Sequence, residues 1–437
     1  MKPSDSGWDF EAAVIGGGPG GSSAATALAR KGRSVLLLER DHFPRFHIGE
    51  SQLPWSNEVF VALGVDREIA EAGFVKKWGA TFRTLDGARE QYADFEAAVE
   101  TPAPQTFQVP RAKFDEILLR HSARSGACVR EGHRALDAVF EATGVTLRFA
   151  DEGGQEHGVR VGAVVDASGR AGFLARKLGR HAMDPLLRNV AVHAQYENVP
   201  RTEGRRAGDI RMLTRADLGW IWLIPISETV TSVGAVIPQR VHGQERKATP
   251  EESLAHYLLT TAGSEPLMKD ARRVSPARFD ADYSYLGTRM AGDRWVAVGD
   301  AAAFLDPIFS SGVLLAMQGG LEAAEVIDAG LREGSLTASR FLGYEKLLRK
   351  RYHHFRRFAV GFYNPYFRDL WFIRSTRFGL YEAVLSVLAG NWRPSLATRL
   401  RIGLFFTLVG LQRFFPIAPR TARTADSVAG NPREPPS

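Results

Sequence analysis

Six residues, Gly16-Gly17-Gly18-Pro19-Gly20-Gly21, constrain this chain more than any others. They fit G-x-G-x-x-G and stand between an apolar run at 9–15, which reads as a strand, and Ser22–Arg30, which reads as a helix. In such a turn Gly16 permits the tight reversal, Gly18 lets backbone approach a pyrophosphate, and Gly21 lets helix and strand pack closely. The helix start then offers amide N–H groups to phosphate oxygens. A second strand, Ser34–Glu39, ends in a carboxylate placed to accept from ribose hydroxyls. Strand, glycine turn, helix, strand and terminal acid together predict a dinucleotide-binding βαβ start and an α/β fold.

The rest of the chain interrupts that unit and then resumes it. Ala112–Ser125 has helical periodicity, 133–166 alternates as strands do, and 187–282 is mostly strand-like. Trp295–Gly299 returns as a buried strand and Ser311–Asp328 as a helix, and from about 335 the pattern is helical. The expected division is therefore a nucleotide-binding unit at 1–186 and 285–334, a strand-rich substrate-side insertion at 187–284, a helical region at 335–424 and a disordered tail at 425–437. A length of 437 residues suits two or three such units. Within the insertion, Gly219–Pro225 reads G-W-I-W-L-I-P. Trp220 and Trp222, two positions apart, face the same side of an extended strand, and Pro225 ends its capacity to donate. Two buried indoles on one strand are often core alone; beside a bound cofactor they would form an aromatic wall.

Two further turns follow strands: Val165-Asp166-Ala167-Ser168-Gly169-Arg170 and Val298-Gly299-Asp300-Ala301-Ala302. Both also serve as plain turn chemistry, but in this order behind the glycine string they resemble the signatures of FAD enzymes with the aromatic-hydroxylase type of fold. With Phe46-His47-Ile48-Gly49-Glu50-Ser51, Lys77, the tryptophan string and Asp306-Pro307-Ile308-Phe309-Ser310-Ser311-Gly312, the chain resembles the flavin-dependent halogenases over roughly residues 10 to 400. The form of the 46–51 segment looks more like the branch acting on phenolic, pyrrolic or carrier-bound substrates than the branch acting on free tryptophan.

What the resemblance implies is an FAD-binding Rossmann-like domain with an inserted strand-rich domain, and a two-part reaction. Reduced FAD, O2 and chloride or bromide give hypohalous acid, and a lysine relays the electrophile to an electron-rich aromatic carbon. Gly16, Gly18, Gly21, Glu39, Asp166, Gly169 and Asp300 would hold FAD, with Asp300 at the ribityl chain. Arg111 would join them, although a salt bridge explains that arginine nearly as well. Ser311 and Gly312 match the halide-binding positions, where amides at a helix start suit an anion; a plain helix cap is the bland alternative. Trp220 and Trp222 would keep the organic substrate from the flavin. The segment Phe74-Val75-Lys76-Lys77-Trp78 matches the family's essential-lysine segment and selects Lys77. Adjacent strand residues face opposite ways, so Lys76 is the competitor and only one of the two points inward. Glu50 reads as a structural or flavin-side residue, and no general base is assigned.

The bulk properties set the remaining bounds. Cys128 is the only cysteine, which excludes an internal disulfide, a thiolate metal cluster and a dithiol mechanism. Neither H-x-x-H nor H-E-x-x-H occurs among the 11 histidines, so no metal is expected. The opening residues lack the apolar run of a signal peptide, and a cytoplasmic enzyme is the expectation. From Arg340 onward 17 Lys/Arg face 5 Asp/Glu. That basic surface suits an acidic carrier protein or simply a solvated helical face; nucleic acid is not an expected partner. Ile402–Leu411 is too short to cross a bilayer and reads as a docked helix. The aromatic group Phe362–Phe372 reads as core or as a substrate entrance. The halogenase reading adds one partner, a separate flavin reductase. Its rival is an FAD monooxygenase or reductase on the same fold, which would not require Lys77, Ser311 and the tryptophan string together.

Overall fold

The computed structural model describes residues 7–87, 89–373 and 377–420, so the 425–437 segment lies outside the described residues. The apolar N-terminal run forms the strand Phe10–Ile15, buried on both faces, as the centre of a parallel sheet requires. Val35–Leu38 pairs with it on one side and Glu156–Asp166 on the other, both parallel. Beyond them lie Cys128–Arg130 at one edge and Trp295–Ala297 with Ala291–Gly292 at the other. The hairpin Arg134–Glu141 and Gly144–Ala150 extends the sheet antiparallel along Glu156–Asp166. Ile15 lies opposite Asp166, and Asp166 opposite Ala297. Three turns therefore leave the same carboxyl edge side by side: the glycine string, the Asp166 turn and the Asp300 turn. Ligands of open α/β sheets bind at such an edge.

The helix after the glycines runs Pro19–Arg30, with proline at its start where a missing N–H costs nothing. It packs on the helix Gly312–Arg332, which follows the Asp306 segment. Small residues on both helices (Gly20, Ala24 and Gly320 among them) allow this close approach.

A second sheet stands over the carboxyl edge. Its order is Ala303–Phe304, Arg278–Gly287, His181–Glu197, Val230–Pro238, Trp220–Pro225, Ile210–Thr214, Gly79–Arg83 and Glu90–Asp94, with Arg272–Arg273 paired to His181–Glu197. The strands from 181 to 287 are antiparallel, as hairpin-connected strands are. Gly79–Arg83 and Glu90–Asp94 come from far earlier in the chain, and Gly79–Arg83 joins parallel to Ile210–Thr214. The sheet is thus wider than the 187–284 stretch that supplies its middle.

The C-terminal region is helical, as its pattern predicts: Ala338–Phe362, Pro365–Trp371, Leu380–Leu388 and Leu396–Gln412. The last of these buries Ile402, Phe405 and Val409, and Gln412 donates to Asp369 and to the Ala418 carbonyl, so it is docked. Among the described residues no helix is long and apolar enough to cross a membrane.

Candidate functional site

The glycine string closes onto its own sheet. Gly16 has φ +102°, and a Cβ there would sit 2.4 Å from the Ala167 carbonyl oxygen. A Cβ on Gly21 would sit 1.8 Å from the Gly16 oxygen, so neither position admits a side chain. Gly18 is different: among the described residues the only neighbour within 4 Å of its Cβ position is the tip of Arg45, at 3.5 Å. The fold itself leaves room there for something to approach the backbone. Glu39 is buried, and its carboxylate accepts from Gly17 N at 2.6 Å and from Asp41 N at 2.9 Å. It pins the turn to the end of the second strand.

Asp166 is fully buried and spends both oxygens on its own loop, accepting from Ser168 and from Leu174 N. Gly169 begins the one-turn helix after it at φ +63°. Asp300 contrasts with Asp166. Among the described residues nothing donates a hydrogen bond to its carboxylate, and burial pushes its pKa up to about 6 against the pull of Arg170 and Arg111. Arg111 is the first residue of its helix, and its guanidinium grips Asp115 with two bonds of 2.7 and 2.8 Å. Its third nitrogen donates to the Ile48 carbonyl, so the structure places Arg111 as an anchor for the 46–51 segment.

Lys77 lies on the short strand Val75–Lys77, paired with Thr106–Gln108. It is 1% exposed, while Lys76 faces solvent. Its ammonium donates to Ser51 Oγ and to the Gln52 carbonyl, both at 2.8 Å, and stands 5.1 Å from the Phe95 ring centre. Burial lowers its pKa to about 7, opposed by Asp209. Asp209 Oδ1 accepts from Trp78 N and Gly79 N, which fixes the point where the lysine strand passes into the second sheet. The lysine lines a mostly apolar cavity with Leu53, Phe82, Phe95, Met212, Phe309 and Ser310.

Trp220 and Trp222 are both buried at the centre of the second sheet, their rings 5.8 Å apart. Trp222 fits because its register partner is Gly234, where a Cβ would lie 2.2 Å from the indole. Each indole N–H is satisfied: Trp222 by Ser232 Oγ at 3.2 Å, Trp220 by Tyr363 Oη at 2.9 Å. Tyr363 in turn donates to Asp306 Oδ2 at 2.8 Å, and Asn189 donates to the same oxygen at 2.7 Å. Asp306 therefore ties the tryptophan strand to the Asp306–Gly312 segment. Ser310 adopts φ +56°, and Ser311, buried, precedes the helix that starts at Gly312. The Ser311 side chain makes no capping hydrogen bond, and nothing among the described residues comes within 4 Å of a Cβ at Gly312.

With this geometry in hand, the chain can be set beside known proteins. Residues 9–350 match the FAD binding domain family. The 1H-pyrrole-2-carbonyl-[peptidyl-carrier protein] chlorinase of Pseudomonas fluorescens is 32% identical over 405 residues, covering 88% of this chain and 89% of that protein. The chain belongs to the flavin-dependent halogenases. The myxobacterial chondrochloren halogenase CndH superposes with a TM-score of 0.77 at 33% identity, covering 91% of this chain and 97% of that one. A flavoprotein/dehydrogenase of Cytophaga hutchinsonii superposes with a TM-score of 0.85 at 26% identity, covering 92% and 98%.

This halogenase is thus an FAD-binding enzyme, and its residues fit the group. Gly18 leaves backbone bare at a helix start, Asp300 offers a carboxylate without a protein donor, and Gly312 opens a second helix start nearby. Among the described residues no group of three or more His, Cys, Asp or Glu is placed to hold a metal.

Several residues of the site were not singled out by the sequence. Tyr363 and Asp306 stand inside quoted motifs, yet nothing in either motif pairs them. Asn189 carries no signal at all. Glu50, which the sequence read as a structural or flavin-side residue, is buried, and burial raises its pKa. The aromatic group near 362–372 does double duty: Phe362 packs on both Phe82 and Phe309 of the lysine cavity, while Phe367 and Trp371 are core.

Proposed function

We propose that this halogenase substitutes chlorine or bromine for hydrogen on an electron-rich aromatic ring, through Lys77. The observation that carries the reading is a fully buried lysine in an apolar cavity that it shares with Phe309 and Ser310, the residues leading to the Gly312 helix start. Reduced FAD, when bound, would supply two electrons and two protons, with which O2, halide and one further proton can become hypohalous acid and water. Amides at Ser311 and Gly312 hold the halide, since a helix start favours negative charge and no side chain crowds it. With its pKa near 7, Lys77 populates ammonium and amine at neutral pH. It can therefore present either a proton or a nitrogen lone pair to the electrophile, while the walls of the cavity exclude bulk water. Trp220 and Trp222 form the barrier that keeps the aromatic substrate from meeting the flavin directly.

The substrate class favoured is a pyrrole or phenol, free or held on a carrier protein, in line with the pyrrolyl-carrier chlorinase that the chain is similar to. Reduced FAD arrives from a separate flavin reductase. A second reading, an oxidoreductase that does not halogenate, draws on the likeness to the flavoprotein/dehydrogenase. The deciding assay combines purified protein with a flavin reductase, NADH, FAD and bromide. Phenols, pyrroles, indoles and a pyrrolyl thioester are offered as substrates and read by mass. A bromine isotope doublet that falls by at least a hundredfold in Lys77→Ala is the expected result. An added oxygen without bromine, unaffected by the substitution, overturns the halogenase chemistry.

A further inference from the structure

A cavity of about 40 Å3 lies beside the start of the Gly312 helix, lined among others by Asp300, Gly312, Leu315, Leu348, Arg351 and Tyr352. One water needs roughly 10–15 Å3, so a small ion fits with room to spare. Arg351 reaches it from the helix Ala338–Phe362 and is 3% exposed. Its Nη2 donates to Glu322, but Nε and Nη1 have no hydrogen-bond partner among the described residues. Idle donors on a buried guanidinium are costly, and such groups ordinarily have a partner.

Glu322 is shared: Arg393 Nη2 approaches the same carboxylate oxygen at 3.7 Å. Two guanidiniums thus face one carboxylate, and both lie over the Trp392 ring, at 4.0 Å for Arg351 and 3.7 Å for Arg393. Asp300 lines the same cavity, but the cations acting on it are Arg170 and Arg111. Arg393 is mostly exposed and solvated, so the buried feature of the cavity is Arg351 itself, with Nε and Nη1 idle beside the apolar flanks of Leu315 and Leu348. A cation with free donors in a small, partly apolar chamber suits a monatomic, weakly hydrated anion.

We propose that Arg351 binds a halide ion in this cavity, at a holding site distinct from the helix start at Ser311 and Gly312 that it adjoins. The idea rests on the reading that halide is a co-substrate of this enzyme. The test uses the full chain loaded with oxidised FAD and without reductase, so that no turnover occurs. Bromide is titrated while tryptophan emission is followed, with Trp392 as the reporter next to the guanidinium. Wild type is expected to show a saturable quenching component that disappears in Trp392→Phe. Its midpoint should rise at least tenfold in Arg351→Met and in Leu315→Phe, which fills the cavity but keeps the arginine. Should Arg351→Met fail to fold, Leu315→Phe carries the comparison. Quenching that is linear in bromide, or a saturable component unchanged in the foldable variants, overturns the site. The readout does not depend on turnover: saturable bromide binding in a protein that never brominates would sink the halogenase chemistry and leave the anion site standing.

Discussion

At the residue scale the decisive group is Lys77, because burial has changed what its nitrogen can be. The folded lysine titrates near pH 7, below the ordinary value of 10.5 that it regains on unfolding. Between those pH values the unfolded chain binds more protons at this position than the folded one, so stability contributed by Lys77 rises with pH across that window. Denaturation midpoints at pH 7.5 and 9.5 should accordingly differ more in wild type than in Lys77→Met, with the wild type gaining on the alkaline side. Equal pH slopes in the two proteins would mean that the lysine is solvated. Strand alternation said only that one of Lys76 and Lys77 faces inward; it was the resemblance of their segment to the family's essential-lysine segment that selected Lys77. Arg111 was read both ways, and its bidentate hold on Asp115 is the salt bridge that one of those readings names.

Elements explain why some of the site was readable and some was not. The βαβ start was legible because each requirement, apolar run, glycine turn and terminal acid, falls within about thirty consecutive residues. The second sheet was legible only in its middle. Gly79–Arg83 and Glu90–Asp94 carry no mark of a partner at Ile210–Thr214, since parallel pairing across more than a hundred residues leaves no turn to read. For the same reason the bonds joining Asn189, Trp220, Asp306 and Tyr363 could not be foreseen: they converge from four separate segments. The strand Val230–Pro238 offers a sharp test of the wall. Gly234→Ala places a methyl group into the space of the Trp222 indole, and overpacking of this kind costs about 1–3 kcal/mol. Urea denaturation should show that loss. If the midpoint stays within experimental error of wild type, the indole does not sit against this glycine.

For the whole molecule, the two sheets and the helical region converge on one carboxyl edge, so whatever binds there holds the parts together. FAD bound only by the folded chain should stabilise it by about 2.7 kcal/mol at a hundred times its Kd. A thermal melt with and without FAD measures this directly. Asp300→Ala is expected to retain the melting temperature of the free protein but to lose most of the FAD-induced rise, because among the described residues no group donates a hydrogen bond to that carboxylate. A fall in the melting temperature without FAD would instead show that Asp300 serves the fold. The last helix of the basic region is docked by three apolar side chains and the Gln412 bonds.

The fit of Trp222 against Gly234 reaches beyond stability. An indole on one strand and a bare backbone on the next form a lock whose halves lie twelve positions apart in the chain yet directly face each other. Neither half can change alone without either a clash or a hole. Among descendants of this enzyme a smaller ring at 222 would free 234 to acquire a side chain, and a side chain at 234 would demand a smaller ring. The fit is thus inherited as a pair, and a lineage that reshapes this part of the sheet must take two coordinated steps across one strand pairing.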